Sequence, residues 1–260
     1  MSPPKNGGET GRADATGGPK GPISDSFAKP RVKRFYKHVS VGEGAFFQIL
    51  LDGRAVKTPR KRALILPTRA LADLVAAEWA GQGGEIIPTA MHLTRFANTA
   101  IDAVADQKAE VARDIAAYAG SDLVCYRADS PDDLVALQSA RWDPIVAWAA
   151  STLNARFLVV NGVMPVEQPQ TALMPFASAL DTFDAFGLTA LHVLMTLTGS
   201  ALIALAHARG YLDANEAWAA AHVDEDYQIS LWGEDFEAIE RRAARRTEFD
   251  AAVALLVALR

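Results

Sequence analysis

Large apolar side chains are almost missing before position 31, and beyond it they recur in two rhythms. The first rhythm is short. Phe35, Tyr36, His38 and Val39 lie in one predicted strand, AFFQILL at 45–51 in a second and ALIL at 63–66 in a third. Asp52-Gly53, between AFFQILL and the returning RAVKT, reads as a two-residue hairpin turn because both residue types tolerate positive φ. Pro59 ends the return. The second rhythm is helical. Leu71, Leu74, Val75, Glu78 and Trp79 follow Thr68, a good N-cap, and Gly81, Gly83 and Gly84 stop the run.

Beyond Pro88 the helical rhythm persists. Helices are predicted over 93–104 and 107–120, the second closed by Gly120. Ser130-Pro131-Asp132-Asp133 predicts a serine cap, a proline in the first turn and two acids facing the macrodipole. Pro144 is expected to kink or split the helix that follows. RFLVV at 156–160 reads as one stray strand. Further helices are expected at 171–183 and 188–208, then from Asp213 to Gly233, where Glu216 completes a capping-box pattern. A last amphipathic helix runs from near Asp235 to the C-terminus. The fold class is therefore α+β: a small hairpin-rich domain at 31–92, then a larger all-helical bundle at 93–260. Residues 1–30 are Gly-, Pro- and small-polar-rich and predict a disordered tail, because they bury too little surface to offset the entropy of ordering.

Composition narrows the function classes. Half of the 260 residues are hydrophobic, and the net charge of -5 argues against nucleic acid while leaving room for a basic protein partner. The basic runs KTPRKR and RRAARR read as solvated surface, the second with Glu237–Arg241 and Arg246–Asp250 pairs one helical turn apart. One cysteine, Cys125, rules out an internal disulfide, suits a reducing compartment and reads as inert packing. The stretch 185–208 has no Asp, Glu, Lys or Arg and approaches the roughly 20 residues of a bilayer span. His192, Thr196, Thr198, Ser200 and His207 interrupt it, which favours a central helix of a bundle, with His192 and His207 hydrogen-bonded in the core. Gly199, Ser200 and Ala201 would then admit close neighbours. The N-terminus carries no secretory or presequence pattern, so bacterial cytoplasm is expected, with the mitochondrial matrix for a mature form. No P-loop, dinucleotide fingerprint or nucleophile elbow occurs, so neither cofactor nor catalysis is expected.

The chemistry concentrates in AHVDEDYQISLWGEDFEA, which begins at Ala221. Taken as one helix from Asp213 at about 100° per residue, Trp218, His222, Glu225, Ile229 and Trp232 share a stripe. Ala220, Val223, Tyr227 and Leu231 share the opposite one, and Asp224 and Asp226 flank Glu225. A solvated acidic turn accounts for Asp224 and Asp226. It accounts poorly for a carboxylate among tryptophans, which needs either an internal arginine or a basic residue of another protein. His222 and Glu225 could share a metal in an enzyme, but a di-metal bundle needs a second such pair, and none is present.

In order and spacing, KRFYKHV, LLDGRAVKTP, ALILPTRALADLVAAEW, MHLTRFANTAID, DLVCYRA, the Trp142/Pro144/Trp148 helix, LTGSALIALA and DEDYQISLWG resemble a known family. It is the assembly-chaperone family for the α subunit of the ATP synthase catalytic sector, found in mitochondria and α-proteobacteria. The likeness runs from about Lys33 to Glu237; His92 stands where the family tends to have proline. The resemblance implies an N-terminal α+β domain, a C-terminal helical domain and no catalysis. It implies transient holding of the unassembled α subunit, covering its β-facing apolar surface until β displaces it, and the chain is expected to act as a monomer. The family's functional glutamate falls on Glu225, with Asp224, Tyr227 and Trp232 as neighbouring contact candidates. A permanent structural subunit is the remaining alternative.

Overall fold

A computed structural model describes residues 32–42, 44, 46–162 and 164–260. The expected tail and Ala45 lie outside them. The chain opens with β1 (Val32–Lys33), β2 (Val39–Gly42), β3 (Phe47–Leu51), β4 (Arg54–Ala55) and β5 (Ile65–Leu66). Strand β3 is the organiser: β2, β4 and β5 all pair with it antiparallel. Asp52 and Gly53 take φ of 48° and 79°, so Leu51 pairs directly with Arg54 as the turn residues require. Phe35, Tyr36 and His38 are not in a strand. The Asp52 carboxylate accepts the backbone N–H groups of Lys37 and His38, the latter at 2.8 Å, and so bends this lead-in. Tyr36 is thereby buried, its hydroxyl donating to the Trp79 carbonyl at 2.7 Å.

Helix α1 (Arg69–Ala80) starts where Thr68 accepts from the Leu71 amide. Strand β6 (Glu85–Ile86) returns to pair with β1. Helix α2 (His92–Asp102) has no cap of its own; Glu78 of α1 supplies one, accepting the amides of Leu93 and Thr94 at 2.7 and 2.8 Å. Then come α3 (Lys108–Tyr118), β7 (Tyr126–Arg127), α4 (Asp132–Thr152), β8 (Val160–Asn161) and α5 (Gln170–Leu180). Pro131, not Ser130, occupies the N-cap of α4, and no side chain caps it, although Asp132 and Asp133 fill the first turn as expected. Pro144 does not split α4: the helix runs through it to Thr152, at the cost of one backbone hydrogen bond. Of 156–160 only Val160 is in a strand, paired parallel with Tyr126.

The apolar stretch 185–208 is two helices, not one: α6 (Ala185–Thr198) and α7 (Ala201–Ala208). Gly199, at φ 68°, ends the first and Ser200 caps the second, so these small residues make a turn rather than a close helix contact. Fully buried Asp122 holds the turn. Its carboxylate accepts the Ser200 hydroxyl at 2.6 Å, the Leu202 amide at 3.0 Å and its neighbour Val124's amide at 3.2 Å. Among the described residues no helix is long and apolar enough to cross a membrane. His207 is buried with Nδ1 3.0 Å from the Leu212 carbonyl, but His192 points outward, contrary to expectation.

Helices α8 (Ala214–Ala221), α9 (Val223–Trp232) and α10 (Phe236–Ala258) complete the chain. Helix α6 is central, packed on α2, α3, α7 and α10. The buried apolar residues form one continuous cluster from Tyr36 to Ala258, and the Thr68 hydroxyl donates to the Ala258 carbonyl at 2.6 Å. The architecture is the expected one, an α+β unit followed by a helical bundle. Cys125 lies in that cluster, and burial pushes its thiol up to about 12, as inert packing requires.

Burial also pushes the Asp122 carboxyl up to about 6, despite its hydrogen-bond donors. The folded value lies above the unfolded one, so the stability this proton gives is full in acid and is lost as pH rises through about 6. The loss is about 3 kcal/mol. In urea titrations, the stability advantage of the native chain over Asp122→Asn should therefore shrink between about pH 4 and about pH 7. A constant difference contradicts this assignment.

Candidate functional site

The Asp213–Glu216 capping box forms with both arms at 2.8 Å and starts α8. The expected single helix to Gly233 does not continue from there. It breaks at His222, whose φ of -119° and ψ of 21° are not helical. The cause is a set of side chains that occupy carbonyls a continuous helix would give to its own amides. The buried His222 ring stacks on Trp218 at 4.0 Å and places Nδ1 2.8 Å from the Trp218 carbonyl, while the His222 amide bonds to Ala219. The Trp142 indole N–H donates to the Ala220 carbonyl at 2.7 Å. A carbonyl only accepts, so His222 carries its proton on Nδ1.

The break re-aims α9. Gly233 at φ 82° ends it, and Asp235, accepting from Ala238, caps α10 at once. Between α9 and the first turns of α10 lies a groove of about 440 Å³, lined among others by Trp218, Glu225, Ile229, Ile239 and Arg242.

The three neighbouring acids point to three destinations. Asp224 turns inward and accepts the Gln138 amide at 2.7 Å. Gln138 is itself buried and accepts the Ala128 amide at 2.8 Å, so Asp224 braces α9 against α4. Asp226 takes an arginine, Arg242, at 2.5 Å. Glu225 does neither. It is 42% exposed and opens into the groove, and its nearest cationic candidate is His222 Nε2 at 3.7 Å. Burial, the largest influence, holds the His222 pKa below its ordinary value, so the ring is neutral at pH 7. Among the described residues no arginine reaches Glu225.

Tyr227 lies on the other flank of α9, half-buried beside Leu137 and Arg141 of α4. Trp232 is 85% exposed, and its chain neighbour Leu231 and, at the start of α10, Phe236 are exposed to lesser degrees. The four sequence-derived candidates thus do not converge on one pocket: Glu225 faces the groove, Trp232 stands at the exposed tip of α9, Tyr227 faces α4 and half-buried Asp224 bonds Gln138. Ile239 and Arg242 escaped the sequence reading. The spacing of Phe236, Ile239 and Ala243 at the start of the last helix is the signal that would have found this wall. Among the described residues no three His, Cys, Asp or Glu side chains cluster as a metal site needs.

Asp224→Ala leaves the buried Gln138 amide without its acceptor and should lower the unfolding free energy by about 1–3 kcal/mol in urea. Glu225→Gln should leave it within about 0.5 kcal/mol. Equal losses for the two variants would reverse this division of roles.

Residues 33–150 match the family model of the ATP12 chaperone protein. The fold superimposes on the Atu1473 protein of Agrobacterium tumefaciens with a TM-score of 0.85 and 47% identity, covering 88% of this chain and 86% of that one. Atp12 from Paracoccus denitrificans gives a TM-score of 0.82 and 41% identity over 88% of this chain and 99% of that one. The mitochondrial protein atp12 of Schizosaccharomyces pombe is 21% identical over 228 residues, 81% of this chain and 77% of that one.

Proposed function

The chain belongs to the ATP12 chaperone family, and from that premise we propose that it holds the unassembled α subunit of the ATP synthase catalytic sector. An unassembled subunit exposes the apolar surface meant for its neighbour and aggregates through it. A shield needs an apolar face of its own, left uncovered by its own fold. One observation carries the assignment of that face. Leu231 and Trp232 at the end of α9 and Phe236 at the start of α10 are exposed by 56%, 85% and 71%, on the same two helices that wall the groove Glu225 enters. Indole and phenyl groups left in water are costly unless a partner covers them, and they are effective anchors when it does.

In this reading Trp232 and Glu225 touch the α subunit, Tyr227 borders the contact and Asp224 supports it from behind. The chaperone acts as a monomer, and the contact is transient. Its few exposed apolar anchors and the Glu225 carboxylate give an interface weak enough for β to displace by competing for the same surface, with no nucleotide consumed.

Replacing Trp232 and Phe236 together by serine should leave thermal stability nearly unchanged, since neither side chain is in the core. Capture of co-expressed α subunit, measured by pull-down, should fall about tenfold or more. Undiminished capture would move the shield elsewhere. Added β subunit should release α from the native complex; a lasting three-part complex would instead support a permanent structural role.

A further inference from the structure

The gap between Glu225 and His222 has a chemical peculiarity. His222 is 4% exposed, and its single ring proton is committed through Nδ1 to the Trp218 carbonyl. The Nε2 lone pair therefore faces Glu225 Oε2 across 3.7 Å. Both atoms are acceptors, and the separation exceeds a hydrogen bond. A nitrogen of a largely buried ring and a half-exposed carboxylate oxygen thus face each other, and among the described residues no side-chain donor is bonded to either.

The neighbouring charges do not relieve this. Of the groove's acids, Asp226 holds Arg242 at 2.5 Å and Asp235 lies 4.0 Å from Arg241. Arg246 is taken by Asp250 at 2.8 Å and Asn215 at 2.7 Å. Carboxylates outnumber guanidiniums four to two along the groove wall. While the groove is open, water solvates Glu225. Once an apolar subunit covers it, an uncompensated carboxylate would cost several kcal/mol. Docking over this face therefore requires a cation to arrive with the partner.

We infer that Glu225 Oε2 and His222 Nε2 form a receptor for one cationic side chain, a lysine or an arginine, carried by the captured α subunit. Ile229 and Ile239 on the two walls would pack its methylene stem, and the two acceptors would share its N–H donors. Only a partner presenting a cation within an apolar surface satisfies both halves of the site, which makes the pair a specificity element as well as an anchor. The inference rests on the chaperone reading above.

Two measurements on the full chain test it. Ring-nitrogen NMR at pH 7.5 should show His222 as the neutral Nδ1–H form in the free protein. An imidazolium there would already fill the gap and overturn the proposal. For the second, each lysine and arginine on the β-facing side of the α subunit is changed singly to glutamate, and capture is compared between the native chaperone and Glu225→Lys. Glu225→Gln should weaken capture of native α subunit about 30-fold. One client variant should be lost to the native chaperone and recovered by Glu225→Lys, and that position identifies the cation. Unchanged capture by Glu225→Gln overturns the receptor while the chaperone reading stands. Loss with Glu225→Gln but no rescued client position overturns it in favour of Arg242 swinging across from Asp226. Failure of the native chain to capture native α subunit defeats both readings.

Discussion

The fold turns on a buried carboxylate. From Ala185 to Ala208 the chain has no charged side chain, and its apolar content by itself would let it run on as a single rod. Gly199 and Ser200 break it with a left-handed stop and a cap, and Asp122 secures the turn. Lodged in the core beside the start of α7, Asp122 accepts the Leu202 amide, one of the donors a helix start leaves bare, and the hydroxyl of the capping Ser200. Burying the charge is unfavourable, as its raised pKa shows, but the amides and the helix dipole offset much of that penalty. The turn sends α7 back along α6, and α8, α9 and α10 follow from there. Because α10 closes on α6 and α2, the groove depends on this one reversal.

A second set of buried polar contacts fixes the direction of α9. The rings of His222 and Trp142 occupy the carbonyls of Trp218 and Ala220, and Gln138 seizes Asp224. Each contact belongs to the core, yet together they decide where an exposed residue points. With Asp224 drawn inward and Asp226 drawn to Arg242, Glu225 is the acid left to meet a partner. Local rigidity here is a condition of function: a loosely held helix would spend binding energy on ordering itself.

The N-terminal unit is joined to the bundle by polar bonds as well as by the shared core. Glu78 caps α2, and buried Asp102 at the far end of α2 accepts the Thr58 hydroxyl at 2.7 Å and the Arg60 amide at 3.0 Å. Helix α2 is thus fixed at both ends by the β-rich part. His92 occupies the first position of α2, where Glu78 of α1 accepts the next two amides. The His92 ring leans toward Glu248 of α10, with Nδ1 at 4.0 Å. Two of the KTPRKR residues that read as free surface charge are also engaged, Arg60 and Arg62 both bonding carbonyls at the end of α2.

Legibility in the chain divides along the range of the interaction. The Asp52-Gly53 turn, the Thr68 cap, the Asp213–Glu216 box and the start of α10 at Asp235 are settled by residues within about four positions of one another, and the order of letters contains them. Glu225 stood out for the same reason, as a charge at helical spacing from two indoles. The break at His222 was not legible, whereas the one at Gly199-Ser200 is a local glycine stop and serine cap that the apolar run masked. Asp122, which secures the Ser200 turn, and Trp142, which claims the Ala220 carbonyl, each lie 78 residues from their partner, and Gln138, which holds Asp224 inward, lies 86 residues away. A carbonyl or amide in an apolar run carries no mark of which distant side chain will claim it. Only when the chain is packed do those claims compete with the helix's own hydrogen bonds, and here they win wherever the alternative is a buried polar group with no partner.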